Sequence, residues 1–338
     1  MNRSKKAISL LWTLLLFSFT VYAALDTFVI EHAYSTVEAP STALQATAAT
    51  EVPETAIPAT PTNAATVVPV QVTSTPVQEE TPEPTETATA APVSVISTEN
   101  SYSDENISIT IQELREYDST VYVADVVLSS PEYLQTALAN SVYGRNVTAK
   151  TSSIAQTANA ILAINGDYYG ARESGYVIRN GVLYRSKANK NAEDLVIYRD
   201  GSFEIIQESE ISAQSLLDAG AWNVLSFGPA LLIDGELAVG ANDEVGRAMA
   251  SNPRTAIGII DPLHYVFVVS DGRTKSSEGL SLQELAKIMQ ELGVKTAYNL
   301  DGGGSSTMVF QGKVINNPTT NGKRVSERSV SDIVCITC

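Results

Sequence analysis

The sequence predicts an α+β chain: a single domain over residues 101–338, built on a mixed, mostly antiparallel sheet with a few helices, behind a transmembrane anchor and a disordered stalk. Three observations predict it. Short apolar or alternating runs outnumber helical patterns after residue 101. Asn-Gly and Asp-Gly dipeptides separate many of those runs, where tight hairpins need residues that accept positive φ. One segment, Ser281 to Leu292, carries a complete helix signature, with Ser281 as N-cap, Glu284 closing a capping box and Gly293 as the stop.

In chain order, Arg3, Lys5 and Lys6 precede a mostly apolar run from Ala7 to Leu25. At about 19 residues it nears the length that spans a bilayer and exceeds a usual cleavable core, which favours an uncleaved signal anchor over residues 1–36. Cleavage after Val21-Tyr-Ala23 would make it a signal peptide and the protein secreted. Basic residues ahead of the helix put the N-terminus in the cytoplasm and the rest of the chain outside, in a single-pass arrangement. Residues 37–100 hold eight glutamates, no Lys or Arg and no aromatic residue, and are mostly Thr, Ala, Pro, Val and Glu. Such a stretch cannot bury enough apolar surface to offset its chain entropy, so it reads as a stalk.

Within the domain, Ile107 to Ile111 alternates and Val121 to Leu128 reads as a strong strand. Ser152 to Ala160 reads as a helix feeding the short buried strand Ile161 to Ile164. Asn180-Gly181 joins Tyr176–Arg179 to Val182–Tyr184 as a tight hairpin, and Asp200-Gly201 and Asp234-Gly235 give the same signal. Ser212 to Leu217 is a short helix. Ala230–Ile233, Thr255–Ile260, Tyr265–Ser270, Thr296–Leu300, Thr307–Phe310 and Val330–Ile336 complete the strands.

Composition excludes several chemistries. Residues 101–338 hold 28 acidic and 19 basic residues, and no basic stripe with interleaved aromatics invites nucleic acid. His32 follows the anchor, outside any expected fold, and His264 lies in a turn, so a Ser-His-Asp triad or a His-ligated zinc has little to rest on. Cys335 and Cys338 are too few for a disulfide framework, and their CxxC ends a strand where a redox motif would open a helix. No cofactor is required. Any metal would need oxygen ligands, which points to calcium or magnesium.

What remains is acids, arginines and amides. Asp167, Asp271 and Asp301 each follow an apolar strand and each adjoins glycine, and strand ends meeting at one rim commonly assemble a site. The competing reading is that Asp-Gly and Asn-Gly are ordinary turns. Around Asp301 the signal is densest. Gly302, Gly303 and Gly304 weaken a strand and are tolerable where another backbone or a ligand comes close, or where φ is positive. Ser305 and Ser306 follow with hydroxyls, and loop amides can converge on an anion. Arg254, set by Pro253 at a strand start beside Thr255, presents a planar fork matched to phosphate or carboxylate, and Arg328 offers another anion contact.

Asn165-Gly-Asp-Tyr-Tyr169, Phe227-Gly-Pro229, Asn252-Pro-Arg-Thr255, Asp271-Gly-Arg273, Ser281-Leu-Gln-Glu-Leu-Ala286, Asn299-Leu-Asp-Gly-Gly-Gly-Ser-Ser-Thr-Met308 and Arg328-Ser-Val-Ser-Asp332 stand in an order that resembles the phosphodiester glycosidase family. The resemblance spans roughly residues 140 to 338; the Asn299–Met308 block is long and specific, and the shorter motifs add order. It implies an α+β domain that hydrolyses a sugar-1-phosphodiester. By position it implies a site lined by Asn165, Asp167, Arg254, Thr255, Asp271, Arg273, Asp301 and the loop Gly302–Ser306, with Asp301, Asp167 and Asp271 as the catalytic acids. The anchor and stalk are similar to those of bacterial surface members, often exopolysaccharide-related, so the expected substrate is a cell-envelope glycan or sugar phosphate. The alternatives are a non-catalytic phosphoglycan-binding surface protein and a structural surface protein whose strand-end motifs are only turns.

Overall fold

The computed structural model describes residues 3–36, 95–244 and 251–338. Most of the expected stalk, up to residue 94, lies outside the described residues. The N-terminal helix runs Arg3–Phe28, and its stretch Leu10–Thr27, of mean hydropathy 1.5, is long and apolar enough to cross a membrane. Length and composition fit a signal anchor or a signal peptide equally.

The α+β class stands. Among the described residues every strand pair is antiparallel, and the strands divide into three main sheets. The largest has nine strands, ordered Glu236–Leu237, Ala230–Ile233, Thr296–Asn299, Thr255–Asp261, His264–Ser270, Ser119–Leu128, Ile107–Glu116, Ser101–Ser103 and Ile96–Ser97. A five-stranded sheet is ordered Lys313–Val314, Met308–Phe310, Ala160–Asn165, Asp332–Thr337, Leu134–Leu138. A second five-stranded sheet is ordered Val182–Arg185, Val177–Arg179, Ala221–Leu225, Glu193–Tyr198, Phe203–Gln207. A separate two-stranded ribbon pairs His32–Thr36 with Val142–Arg145, so His32, expected outside any fold, opens a strand.

Alternation decides which side chains meet. Along Ser119–Leu128, Tyr122, Ala124, Val126 and Leu128 face a core shared by all three sheets, with Leu162, Ile164, Val334, Leu195 and Leu225 opposite. Val121 and Val123 point the other way, under the helix Leu282–Glu291. That helix buries Leu282, Leu285, Ala286, Ile288 and Met289, spacings that keep one face apolar, and its capping box forms as expected. The helices Thr151–Thr157 and Ala213–Asp218 cover the outer faces of the two smaller sheets in the same way. At about 25 cal/mol per Å² these apolar faces supply the main drive for folding. The hairpin turns behave as their residues require, with Asn180 and Gly181 at φ 49° and 76°, and Asp234 and Gly235 at 51° and 81°. Cys335 is buried within its strand and Cys338 is exposed; both are free thiols.

Candidate functional site

The Asn165 side-chain amide lies where the rims of the nine-stranded sheet and the sheet containing Ala160–Asn165 meet. The Asn165 Oδ1 accepts the Thr255 hydroxyl at 2.8 Å and the Thr307 N–H at 3.2 Å, and its Nδ2 donates to the Asp301 carbonyl at 2.6 Å. All three segments end or begin strands there, and Asn165 and Thr255 are fully buried. The amide suits this place because it offers a donor and an acceptor at once.

Asp301 leaves the strand Thr296–Asn299 at this rim. Its Oδ2 accepts Arg328 Nη2 at 2.8 Å, while the Arg328 side chain keeps 41% of its surface exposed. Burial pushes the Asp301 carboxyl above the ordinary carboxylate range, against the opposing pull of Arg328 and Ser305. Arg328 also donates through Nε to Ser305 Oγ at 2.8 Å and through Nη2 to the Gly302 carbonyl at 3.0 Å. The triple glycine is explained by close approach on three sides. A Cβ at Gly302 would come 2.8 Å from the Pro253 carbonyl, one at Gly303 2.9 Å from Arg273 Nη2, and one at Gly304 2.4 Å from Thr320 Oγ1. Gly303 also stands at φ 63°.

Arg273 donates Nε to Asn252 Oδ1 at 2.9 Å and Nη1 to the Thr320 carbonyl at 2.5 Å. Burial, then the charges of Arg328 and Arg254, pull its pKa below the ordinary value, so the three guanidiniums share one neighbourhood. Arg254 is 3% exposed; it donates Nε to the Leu280 carbonyl and pairs through Nη2 with Glu244 at 2.5 Å. Asp271 serves a loop: its Oδ1 accepts the Asn317 N–H and its Oδ2 the Asn317 Nδ2, both at 2.8 Å.

Asp167 is placed differently from Asp301. It is 1% exposed; Oδ1 accepts the Tyr169 N–H, and Oδ2 accepts the Ser226 N–H and Arg179 Nη2. Arg179 reaches Asp332 Oδ2 through Nε at 2.8 Å, which makes a buried Asp-Arg-Asp triad. Burial works against the charge of Asp167, yet Arg179 and the two amides outweigh it and hold the carboxyl below its ordinary range. Burial pushes Asp332 up to about 7, and its Oδ1 has no hydrogen-bond partner among the described residues. Arg179 and Asp332 were not singled out as site residues from the sequence. The signal was there in part: each is a charged residue at the end of an apolar strand pattern, Tyr176-Val-Ile-Arg179 and Asp332-Ile-Val334.

Beside this rim a cleft of about 560 Å³ opens along Phe227, Gly228 and Pro229, lined also by Arg172, Asn189, Asn191 and Glu193. It does not include Asp301 or Arg328. It adjoins the rim through Asn299, whose Nδ2 donates to the Gly228 carbonyl at 2.7 Å, and through Ser226. The Arg172 guanidinium lies 5.3 Å above the Phe227 ring. Among the described residues no three His, Cys, Asp or Glu side chains group so as to hold a metal ion. The site therefore presents a carboxylate, guanidiniums and backbone groups around a glycine loop, a set suited to a sugar-phosphate anion.

The family model for phosphodiester glycosidases matches residues 158–337. Over 204 residues the chain is 30% identical to the SPbeta prophage-derived uncharacterized protein YomE of Bacillus subtilis (strain 168), covering 58% of this chain and 31% of that protein. Over 207 residues it is 26% identical to the N-acetylglucosamine-1-phosphodiester alpha-N-acetylglucosaminidase of Mus musculus, covering 56% of this chain and 40% of that enzyme. The chain thus spans less than half the length of these curated relatives. The zebrafish N-acetylglucosamine-1-phosphodiester alpha-N-acetylglucosaminidase catalytic domain, auto-inhibited by its pro-peptide, shares the fold at a TM-score of 0.55 and 22% identity, covering 69% of this chain and 83% of that one. A hypothetical protein from Synechocystis shares it at 0.53 and 18%, covering 74% and 64%. With the family model matching more than half its length, the chain belongs to the phosphodiester glycosidase family.

Proposed function

We propose that the domain hydrolyses a sugar-1-phosphodiester at the bond between C1 and the phosphate oxygen, in glycans of the cell envelope or an exopolysaccharide, from the outer face of the membrane. The observation that carries this reading is Asp301, a carboxylate at a strand end held by the half-exposed Arg328 beside the glycine loop and Arg273. A phosphate leaving an anomeric carbon departs as a stable anion, so little protonation of the leaving group is needed. Arg328, Arg273 and the loop amides would stabilise that charge as it develops. Asp301 would orient water or face the oxocarbenium-like centre, as carboxylates do in glycosidases. Phosphate contact through Arg254 would require exchanging Glu244 for the substrate. The buried Asp167 would hold the floor of the site through Arg179, Asp271 would hold the Asn317 loop, and the cleft at Phe227–Pro229 would receive the remainder of the glycan. The chain's own cationic groups supply the positive charge, and no cofactor enters the scheme.

The observation that favours a second reading, a non-catalytic phosphoglycan receptor, is that Asp301 is already ion-paired. The test is a panel of nitrophenyl or methylumbelliferyl sugar-1-phosphodiesters, run with calcium, with magnesium and with EDTA. Free sugar released by the wild type and lost in Asp301→Asn supports hydrolysis; release unaffected by EDTA removes the cation. Binding of phosphoglycans with no release would favour the receptor.

A further inference from the structure

We propose that the strand His32–Thr36 seats the folded domain directly on the membrane surface, at the base of the anchor helix. The inference rests on the anchor reading of the N-terminal helix and stands apart from the hydrolase reading. Sequence alone puts residues 37–94 between anchor and domain, and a flexible segment of that length would allow a separation of roughly 40 Å. The structure supplies a shorter connection.

The helix ends at Phe28 and the strand begins at His32, so Val29, Ile30 and Glu31 bridge at most about 10 Å. The strand then pairs with Val142–Arg145 in the register His32–Arg145, Ala33–Gly144, Ser35–Tyr143 and Thr36–Val142. Among the described residues, Val142–Arg145 has no other strand partner. Side chains reinforce the seam from both sides. Arg145 Nη2 lies 3.3 Å from Asp26 Oδ2, and it also donates to the Asp26 carbonyl. His32 Nε2 lies 3.2 Å from Asp26 Oδ1. Asn146 Nδ2 donates to the carbonyls of Thr27 and Ile30 at 3.2 and 3.0 Å, closing the helix end that has no intrahelical partners. The Tyr34 and Tyr143 rings lie 5.8 Å apart. Gly144 permits the approach: a Cβ there would stand 2.1 Å from the His32 carbonyl oxygen. Val29, Ile30 and Tyr34 meanwhile stay exposed beside the helix end, apolar and aromatic groups of the kind a bilayer interface accepts. An anchor fixed this way holds the domain against lipid headgroups and confines its reach to glycans close to the membrane.

The test uses the full chain in nanodiscs of phosphatidylcholine and phosphatidylglycerol. In a Cys338→Ser background, Thr36→Cys with Val142→Cys should cross-link on oxidation in most molecules, whereas Thr36→Cys with Val182→Cys should not. A donor dye at Glu173→Cys, the neighbour of Arg145, should transfer energy to headgroup-labelled lipid. Asp26→Ala/Tyr34→Ala should lower that transfer several-fold. Neither residue is among those placed in the site around Asp301, so turnover of a soluble sugar phosphodiester should match the wild type, which separates this result from the hydrolase test. Cross-linking in neither pair or in both, energy transfer indifferent to Asp26→Ala/Tyr34→Ala, or a mature chain that starts after Ala23 and lies free of membranes would overturn the proposal.

Discussion

Asp301 and Asp167 carry nearly the same local sequence signal, an acid at the end of an apolar strand next to glycine, and the fold gives them opposite situations. Asp301, its own side chain 11% exposed, meets one guanidinium, on an Arg328 side chain that is 41% exposed. Asp167 meets a guanidinium that is itself buried and tied to a second carboxylate, and backbone amides complete its shell. An ion pair open to water contributes little to stability and can be exchanged for a ligand. A buried pair cannot be broken without leaving a charge stranded. The difference separates a carboxylate whose partner reaches solvent, the one proposed for chemistry, from one that fixes the framework around it.

The strongest way to break this comparison is at Arg179. Arg179→Met strands both Asp167 and Asp332 and should cost ~3–5 kcal/mol of stability, read by urea unfolding. A loss under about 1 kcal/mol would show that the triad is not structural. Next, Asp301→Asn should lower kcat/KM on a sugar phosphodiester by about 10²–10⁴-fold. Its unfolding free energy should stay within about 1 kcal/mol of the wild type. Asp167→Asn should reverse that pattern, with stability falling by roughly 3 kcal/mol, and equal behaviour of the two variants would erase the distinction. Arg328→Lys keeps the charge and loses the fork that spans Asp301, Ser305 and Gly302; kcat/KM should fall on the order of tenfold, ~1.4 kcal/mol, with the fold unchanged by circular dichroism.

The last effect is read against pH. Burial beside Glu208 pushes Asp194 up to about 9, so the folded chain keeps a proton that the unfolded chain releases in the ordinary carboxylate range, near 4. The folded state therefore binds more protons across that window, and stability falls as pH rises through it. Asp194→Asn, which cannot ionise, should flatten the fall in melting temperature between about pH 5 and pH 9. An unchanged slope would assign the effect elsewhere, with Asp332 the next group to substitute.

Much of the fold was legible because it follows from local rules. The Ser281–Glu284 capping box, the Asn180-Gly181 and Asp234-Gly235 turns and the alternation along Ile107–Ile111 all formed as read. Glycines 302–304 were read as a place of close approach, and the sequence could not say what approaches: Pro253, Arg273 and Thr320 come from segments far along the chain. The reading of Arg254 as a phosphate fork did not include Glu244, because an ion pair between separate segments leaves no periodic trace.

The sequence by itself determined the class of fold, the membrane-length helix, the turns and the block Asn299–Met308 that marks the family. Those features depend on periodicity, propensity and residue type over a few neighbours. Only the tertiary structure decided which carboxylate is locked and which is open, that Asn165 ties the sheet rims together, and that His32–Thr36 folds back onto Val142–Arg145. Burial and ion pairing depend on segments distant in sequence, and a residue's type does not record which of them it will meet.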